Sequence, residues 1–336
     1  MQDVADELEI SRVTVWKVFS NKEGVSDNLR LKIIQKAIEM NYAVPEELKL
    51  LETAKEYREQ ITVSVTVSRP ETSLFWMTII HEAAKEMARL NINLMYTYLP
   101  SVVPEGYTLP PVLSNGTVQG MIILNIYDEK IMQMLSTLSI PKVFMDTVTS
   151  MPFHCLNGDL ILIEGRSCIY EITEHLIKNK RTKIGFIGDI AYAYTNNDRY
   201  QGFLQSMKKN GLTVNPRYCL TKNLGIDTYA EEIRDFIDTL PSLPDAFICA
   251  NDHIANIVFK LFEEKGLQIP KDIALSGFDD NSEFPETNKL TTVKVQTKSL
   301  GARLAMQLLY RINNPDAGYE IASIHSNVIY RASTEF

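Results

Sequence analysis

At 336 residues the chain is long enough for two or three domains with a substantial core, and 45% hydrophobic with 23% charged residues is an ordinary globular balance. No apolar run approaches the roughly 18 residues of a membrane span, and the amphipathic N-terminus lacks a signal peptide's pattern, so no membrane partner is expected and the cytoplasm is the expected location. A net charge of −8 excludes a protein that coats nucleic acid non-specifically; any DNA affinity has to come from a local basic face.

The first forty-odd residues read as three short helices with tight connections. Val4, Ala5 and Leu8 recur at helical spacing. Ser11 is placed to cap a second helix whose inner face is Val15, Val18 and Phe19. After the polar turn at 20–24, Ser26 is placed to cap a third helix that buries Leu29, Ile33, Ala37 and Met40. This arrangement predicts a helix-turn-helix over residues 1–45. Arg12, Val13, Thr14, Trp16 and Lys17 point outward on the second helix, where arginine and lysine reach guanine acceptors or phosphates and methyl groups meet thymine. Ser26 and Arg30, at the start of the third helix, join them as candidate DNA contacts. From Ser11 to Lys36 six basic residues stand against Glu23 and Asp27.

Residues 46–60 form a linker rich in helix formers and in acid, with Glu46, Glu47 and Glu52. It reads either as a hinge that meets DNA or as a solvated helix joining two domains. From Ile61 onward, strands such as ITVSVTV, VQGMIIL, PKVFMD, KIGFIGD, DAFICAN and IALSGFDD alternate with helical segments at 75–89, 164–179, 199–210 and 252–265. Such alternation predicts β-α-β units and parallel sheets. Two sets of these units imply two lobes, with ligands held beyond the carboxyl ends of the strands.

The headpiece motifs D-V-A, I-S-R-V-T-V-x-K-V, G-V-S, R-x-K-I and N-Y resemble the lactose-repressor (LacI/GalR) family. The markers N-D-R-Y-Q-G-F (197–203), A-N-D-H-I-A (250–255), I-A-L-S-G-F-D-D (273–280), L-T-T-V-K (290–294) and Y-R-A-S-T (330–334) continue the likeness. The resemblance implies an all-α helix-turn-helix headpiece followed by an α/β, two-lobed, periplasmic-binding-protein-like (type I) effector domain with parallel sheets, 61–336. It places Arg12, Val13 and Lys17 at base-contacting positions and makes Leu51, or Leu50 if the linker carries a one-residue insertion, the candidate minor-groove wedge of a hinge helix. It also implies chain crossings near Asn157, Thr292 and Ile321. The first lobe would then hold 61–157 and 292–321, the second 158–291 and 322–336. Two departures stand out: Glu9 occupies a turn position where the family has glycine, and Trp16 replaces a small residue. The family's C-terminal tetramerising heptads have no counterpart, so a homodimer on a two-fold operator in double-stranded DNA is expected.

Seven residues form the candidate effector site. Arg199 offers a planar fork, Asp146 and Asp279 end strands and accept paired hydrogen bonds, and Asn251 both donates and accepts. Phe75 and Trp76 present flat apolar faces, and the resemblance puts Thr195 beside them. This set suits a carbohydrate. The bland reading of Asp279 and Asn251 is a turn or helix cap, and that of Arg199 is an internal ion pair. Four scattered cysteines and five scattered histidines predict neither disulfide nor metal site, no catalytic grouping emerges, and no cofactor is expected. The expected function is a transcriptional repressor whose operator affinity follows a small polar effector. The alternatives are a sensor with DNA binding weakened by the acidic linker, and a solute-binding protein without regulatory role.

Overall fold

The protein, described by a computed structural model, is placed over residues 1–20, 22–45, 48, 61–68, 73–225 and 228–336. Apart from Leu48, the 46–60 linker lies outside the described residues, and so does the candidate wedge Leu51.

Helices α1 (Gln2–Glu7), α2 (Arg12–Phe19) and α3 (Asp27–Glu39) pack around Val4, Ala5, Val15, Val18, Ile33, Ile34 and Ala37, with Val44 and Leu48 closing the cluster. Ser11 caps α2 as expected, its Oγ accepting from Thr14 N at 3.1 Å. Ser26 occupies the N-cap of α3, but its side chain makes no capping bond. Met40, expected in the core, is the C-cap of α3 and is exposed, while Ile34 is buried instead. The reason is that α3 ends at Glu39, so Met40 falls past its last turn.

The first sheet runs β11 (Ile321–Ile324), β5 (Asp159–Ile163), β4 (Lys142–Met145), β3 (Gly120–Leu124), β1 (Thr62–Val67), β2 (Asn93–Tyr98), parallel throughout. Both faces are covered, which is why its central strands are nearly continuous apolar runs. Val63, Val65, Ile122 and Leu124 face α4 (Leu74–Arg89) and α10 (Thr297–Asn313); Met121, Ile123 and Phe144 face α5 (Glu129–Thr137). The two helices of the first face approach closely at Gly301, where a Cβ would come within 2.3 Å of the Ile79 carbonyl.

The second sheet, β7 (Cys219–Leu220), β6 (Ile184–Ile187), β8 (Ala246–Cys249), β9 (Ala274–Ser276), is also parallel. Helices α6 (Arg166–Lys178), α7 (Tyr194–Lys209), α8 (Tyr229–Asp238) and α9 (Asp252–Glu264) belong to this half. The glycine of N-D-R-Y-Q-G-F has a steric reason: a Cβ on Gly202 would sit 2.1 Å from the Arg166 carbonyl of α6. Strands β10 (Thr292–Lys294) and β12 (Asn327–Ile329) form a separate antiparallel pair.

Two expected crossings shift. Asp159–Ile163 pairs with β4, so the chain leaves the first sheet only after Ile163, not near Asn157. Ile321–Ile324 pairs with β5, so the last passage follows Ile324. Asn157 is a left-handed turn residue (φ 49°) between two strands of one sheet, a turn that sequence pattern does not distinguish from a change of sheet. Helix α7 also starts earlier than expected, at Tyr194, which puts Thr195 in its first turn and Arg199 inside it rather than at its start.

A buried ion pair ties α10 to the start of β5. Arg311 donates Nη2 and Nε to Asp159 at 2.7 and 3.1 Å and further bonds to the Ala317 and Gly318 carbonyls, while Gln307 also donates to Asp159. Both charges are almost completely buried. Arg311→Ala leaves the Asp159 carboxylate without its cation, and the expected cost is about 3–5 kcal/mol. A urea denaturation midpoint unchanged from the parent would contradict this.

Candidate functional site

The headpiece presents one face of α2. Arg12, Val13 and Trp16 are exposed, Val13 by 61% and Trp16 by 47%, while Val15 and Val18 are fully buried on the opposite side. Thr14 and Lys17 are half-buried, and the Thr14 hydroxyl lies 2.8 Å from Ser11 Oγ in the cap. Arg30 donates to the Val18 carbonyl at 3.4 Å and the Lys22 carbonyl at 2.5 Å, so it pins α3 to the turn as well as carrying charge. Glu9 adopts φ 52°, a left-handed conformation that glycine takes without strain. This is the physical meaning of the glycine it replaces.

All seven candidate effector residues line one cavity of about 470 Å³ between the two sheets. Phe75 and Trp76 come from the first turn of α4 and meet edge to face, with ring centroids 5.3 Å apart. Asp146 follows β4; Thr195 and Arg199 come from α7; Asn251 precedes α9; and Asp279 lies beyond β9. Two of the strand ends place a carboxylate at positive φ, 66° for Asp146 and 114° for Asp279, conformations that are held only when surrounding contacts enforce them. The Asp279 backbone N–H donates to the Val293 carbonyl, which ties it to β10.

The polar groups differ in how much capacity they retain. Asp146 accepts four hydrogen bonds, from Thr147 N (2.8 Å), Thr195 N (3.2 Å), Thr195 Oγ1 (2.5 Å) and Tyr127 Oη (3.2 Å). That fills the lone pairs of a carboxylate. Asp279 has a looser partner, Arg199 Nη2 at 3.8 Å, and its oxygens retain room for further donors. Arg199 itself is buried, donates Nη1 to the Ala250 carbonyl at 2.6 Å and stacks its guanidinium 3.6 Å from the Phe278 ring centroid. Asn251 caps α9 through Oδ1, leaving its amide nitrogen as the group able to donate to a ligand.

Comparison with known proteins bears on both parts. A family model described as a periplasmic binding protein-like domain matches residues 173–334. The HTH-type transcriptional repressor PurR of Vibrio vulnificus is 26% identical, covering 98% of this chain and 97% of that protein. The ribose operon repressor of Haemophilus influenzae is 25% identical over 99% of this chain and 98% of that protein. Among solved structures, a complex of the transcriptional regulator CelR with cellobiose shares the fold with a TM-score of 0.72, 19% identity and 98% coverage of both chains. The lac repressor dimer bound to operator and the anti-inducer ONPF aligns with a TM-score of 0.65, 17% identity, and 99% and 98% coverage. Over nearly its whole length the chain is thus similar to transcriptional repressors, and residues 173–334 match a periplasmic binding protein-like domain.

The cavity holds more aromatic and polar groups than the sequence alone signals. Tyr127 and Tyr192 come from opposite sides with ring centroids 4.3 Å apart. His253 lies between Tyr229 and Phe284, at 5.8 and 5.4 Å. Asp189, Asn125, Asn281 and Glu283 add to the polar lining. Asp189 ends the run KIGFIGD and accepts from the backbone N–H groups of Ala191, Tyr192 and Leu224, a loop-building role. Its place after an apolar strand was a signal available in the sequence; the loop tyrosines carried none.

Burial raises the carboxyl groups around the cleft. Asp279 is pushed up to about 7 by burial against the pull of Arg199. Asp252, in the first turn of α9, is pushed up to about 8 by burial and then by the neighbouring Asp279 charge, although Thr292 Oγ1 and Asn281 N donate to it. Burial also raises Asp146 and lowers His253. The folded protein therefore keeps protons on Asp252 and Asp279 that the unfolded chain has already released. Their contribution is complete below about pH 4 and lost as pH rises to about 8, so stability falls across that window. Denaturation midpoints measured across it should show a shallower fall for Asp252→Asn than for the parent; parallel curves would contradict the assignment.

Proposed function

We propose that this chain is a transcriptional repressor that grips a two-fold DNA operator as a homodimer and whose grip follows a small polar effector, a carbohydrate, bound between its lobes. The observation that carries the reading is the single cavity that draws Arg199, Asp279 and Asn251 from one half and Phe75 and Trp76 from the other, on the same chain as an exposed helix-turn-helix face. Two-pronged donors and acceptors facing aromatic planes match vicinal hydroxyls on a ring with an apolar face. Among the relatives and neighbours, one is a ribose operon repressor, one was solved with cellobiose and one with bound ribose. Asp146, saturated by protein donors, is assigned to holding the lobes together rather than to touching the effector.

Control of DNA binding then follows from differential affinity. An effector that spans both halves favours the closed arrangement by the contacts it makes only there, and the spacing of the two headpieces follows. The domains divide as headpiece 1–45, linker 46–60 and effector unit from 61. Homodimerisation is supported by apolar side chains left exposed on adjoining elements of the first half: Leu74 and Met77 on α4, Tyr96 and Tyr98 on the edge strand β2. A cytoplasmic location goes with this function.

Two measurements test the reading. In a thermal-shift panel, a sugar or glycoside at about 100 times its dissociation constant should stabilise the protein by about 2.7 kcal/mol, and Arg199→Met should remove the shift. Stabilisation by another metabolite class and by no carbohydrate would overturn the effector assignment. Selection of bound DNA from a random pool should enrich a palindrome with half-site centres about one helical turn apart, and Arg12→Ala or Lys17→Ala should relax preference at particular bases by about 1–3 kcal/mol. No enrichment would instead favour a sensor with weakened DNA binding, the reading suggested by Glu46, Glu47 and Glu52 in the linker.

A further inference from the structure

The two passages that follow β5 and β11 out of the first sheet run side by side, joined by the Glu164 N–H donating to the Ile324 carbonyl at 2.9 Å. The residue just after each strand is Glu164 or His325, and one turn into α6 lies Cys168. These three side chains, spread over more than 150 positions of sequence, bring an oxygen, a nitrogen and a sulfur within 4.8 Å of one another. His325 Nδ1 is 3.7 Å and Cys168 Sγ 3.9 Å from the same atom, Glu164 Oε2.

We propose that Glu164, Cys168 and His325 form a binding site for a thiophilic divalent cation of the zinc class at the passage between the two sheets. With metal–sulfur near 2.3 Å and metal–nitrogen or metal–oxygen near 2.0–2.2 Å, adjacent corners of a tetrahedral site lie about 3.3–3.7 Å apart. The two separations to Glu164 Oε2 exceed these by only a few tenths of an ångström, and the third pair lies within 4.8 Å. The donor set of thiol, imidazole and carboxylate selects zinc, cobalt or a similar ion over magnesium or calcium, which take oxygen ligands. His325 is 70% exposed, which gives an entry path and a solvent-facing fourth position.

The surroundings orient the ligands. Ser167 donates its backbone N–H to Glu164 Oε1 at 2.7 Å and its hydroxyl to Oε2 at 2.5 Å, fixing the carboxylate while each oxygen keeps a second lone pair. Cys168 is buried and donates its thiol proton to the Ser326 carbonyl at 3.2 Å, the proton a cation would displace. A helix cap accounts for Glu164 and Ser167, but not for a thiol and an imidazole that converge on the same carboxylate oxygen. Because Glu164 and His325 leave the first sheet while Cys168 belongs to a helix of the second half, a bound cation fastens the connecting segments to that half.

The test is titration of Co²⁺ into the reduced, chelator-treated full chain, followed by thiolate-to-metal charge-transfer absorption in the near ultraviolet, with Zn²⁺ as competitor. One equivalent should bind and be displaced by zinc. Cys168→Ser should abolish the charge-transfer band, His325→Ala should weaken binding at least about tenfold, and Cys155→Ser, which alters an exposed cysteine away from the site, should change neither. His325→Ala alters an exposed side chain, so it decides the matter even if Cys168→Ser fails to fold. Absence of a saturable band, or parental titration by His325→Ala, overturns the site.

Discussion

Asp146 receives four hydrogen bonds, two from groups beside it in the first half of the effector unit and two from Thr195 in the second. A buried carboxylate is tolerated only when its lone pairs are satisfied, so the first turn of α7 is held against the end of β4. Neighbouring contacts reinforce the same edge of the cleft: Tyr194 N donates to the Thr147 carbonyl at 2.8 Å and Thr149 Oγ1 to the Ile190 carbonyl at 2.9 Å. On the far side, Leu74 N at the start of α4 donates to Glu283 at 3.2 Å. The cavity exists because these contacts bring two sheets' carboxyl ends face to face without filling the space between them.

The cleft's chemistry follows from placing carboxyl groups at strand ends in an apolar frame. Asp279 stands at φ 114°, anchored by its own backbone to β10, with Arg199 close but not in tight contact. Asp252 lies behind it, holding the Asn281 N–H and the Thr292 hydroxyl, so the loop after β9 and the passage into β10 share one buried acid. The Asp279 charge in turn helps to raise Asp252, whose own partners lie in the segment leading into β10.

Much of this architecture was legible in the residues. Period-3.6 patterns and Ser11 marked the headpiece, and alternating strands and helices marked two parallel sheets, because both depend on local propensity and on which face is apolar. Met40 failed because one residue's difference in a helix end moves a side chain from core to solvent. The boundary at Asn157 failed because a left-handed turn looks the same whether the next strand joins the same sheet or another. Asp146 was recognised as a cleft residue, but its saturation by Thr195 and Tyr127 depends on partners 49 and 19 positions away.

The sequence by itself determined the kind of molecule: an outward face of Arg12, Val13, Trp16 and Lys17 on a short capped helix, followed by strands whose ends carry Asp146, Asn251 and Asp279. These are properties of single segments, set by cap chemistry, periodicity and residue type. Only the tertiary structure decided how many protein partners each of those groups has, that Tyr127, Tyr192, His253 and Phe284 join them, and that Cys168 and His325 converge on Glu164. Those outcomes depend on distances between segments far apart in the chain. Such distances arise from how two sheets and their connecting passages pack, which no local pattern encodes.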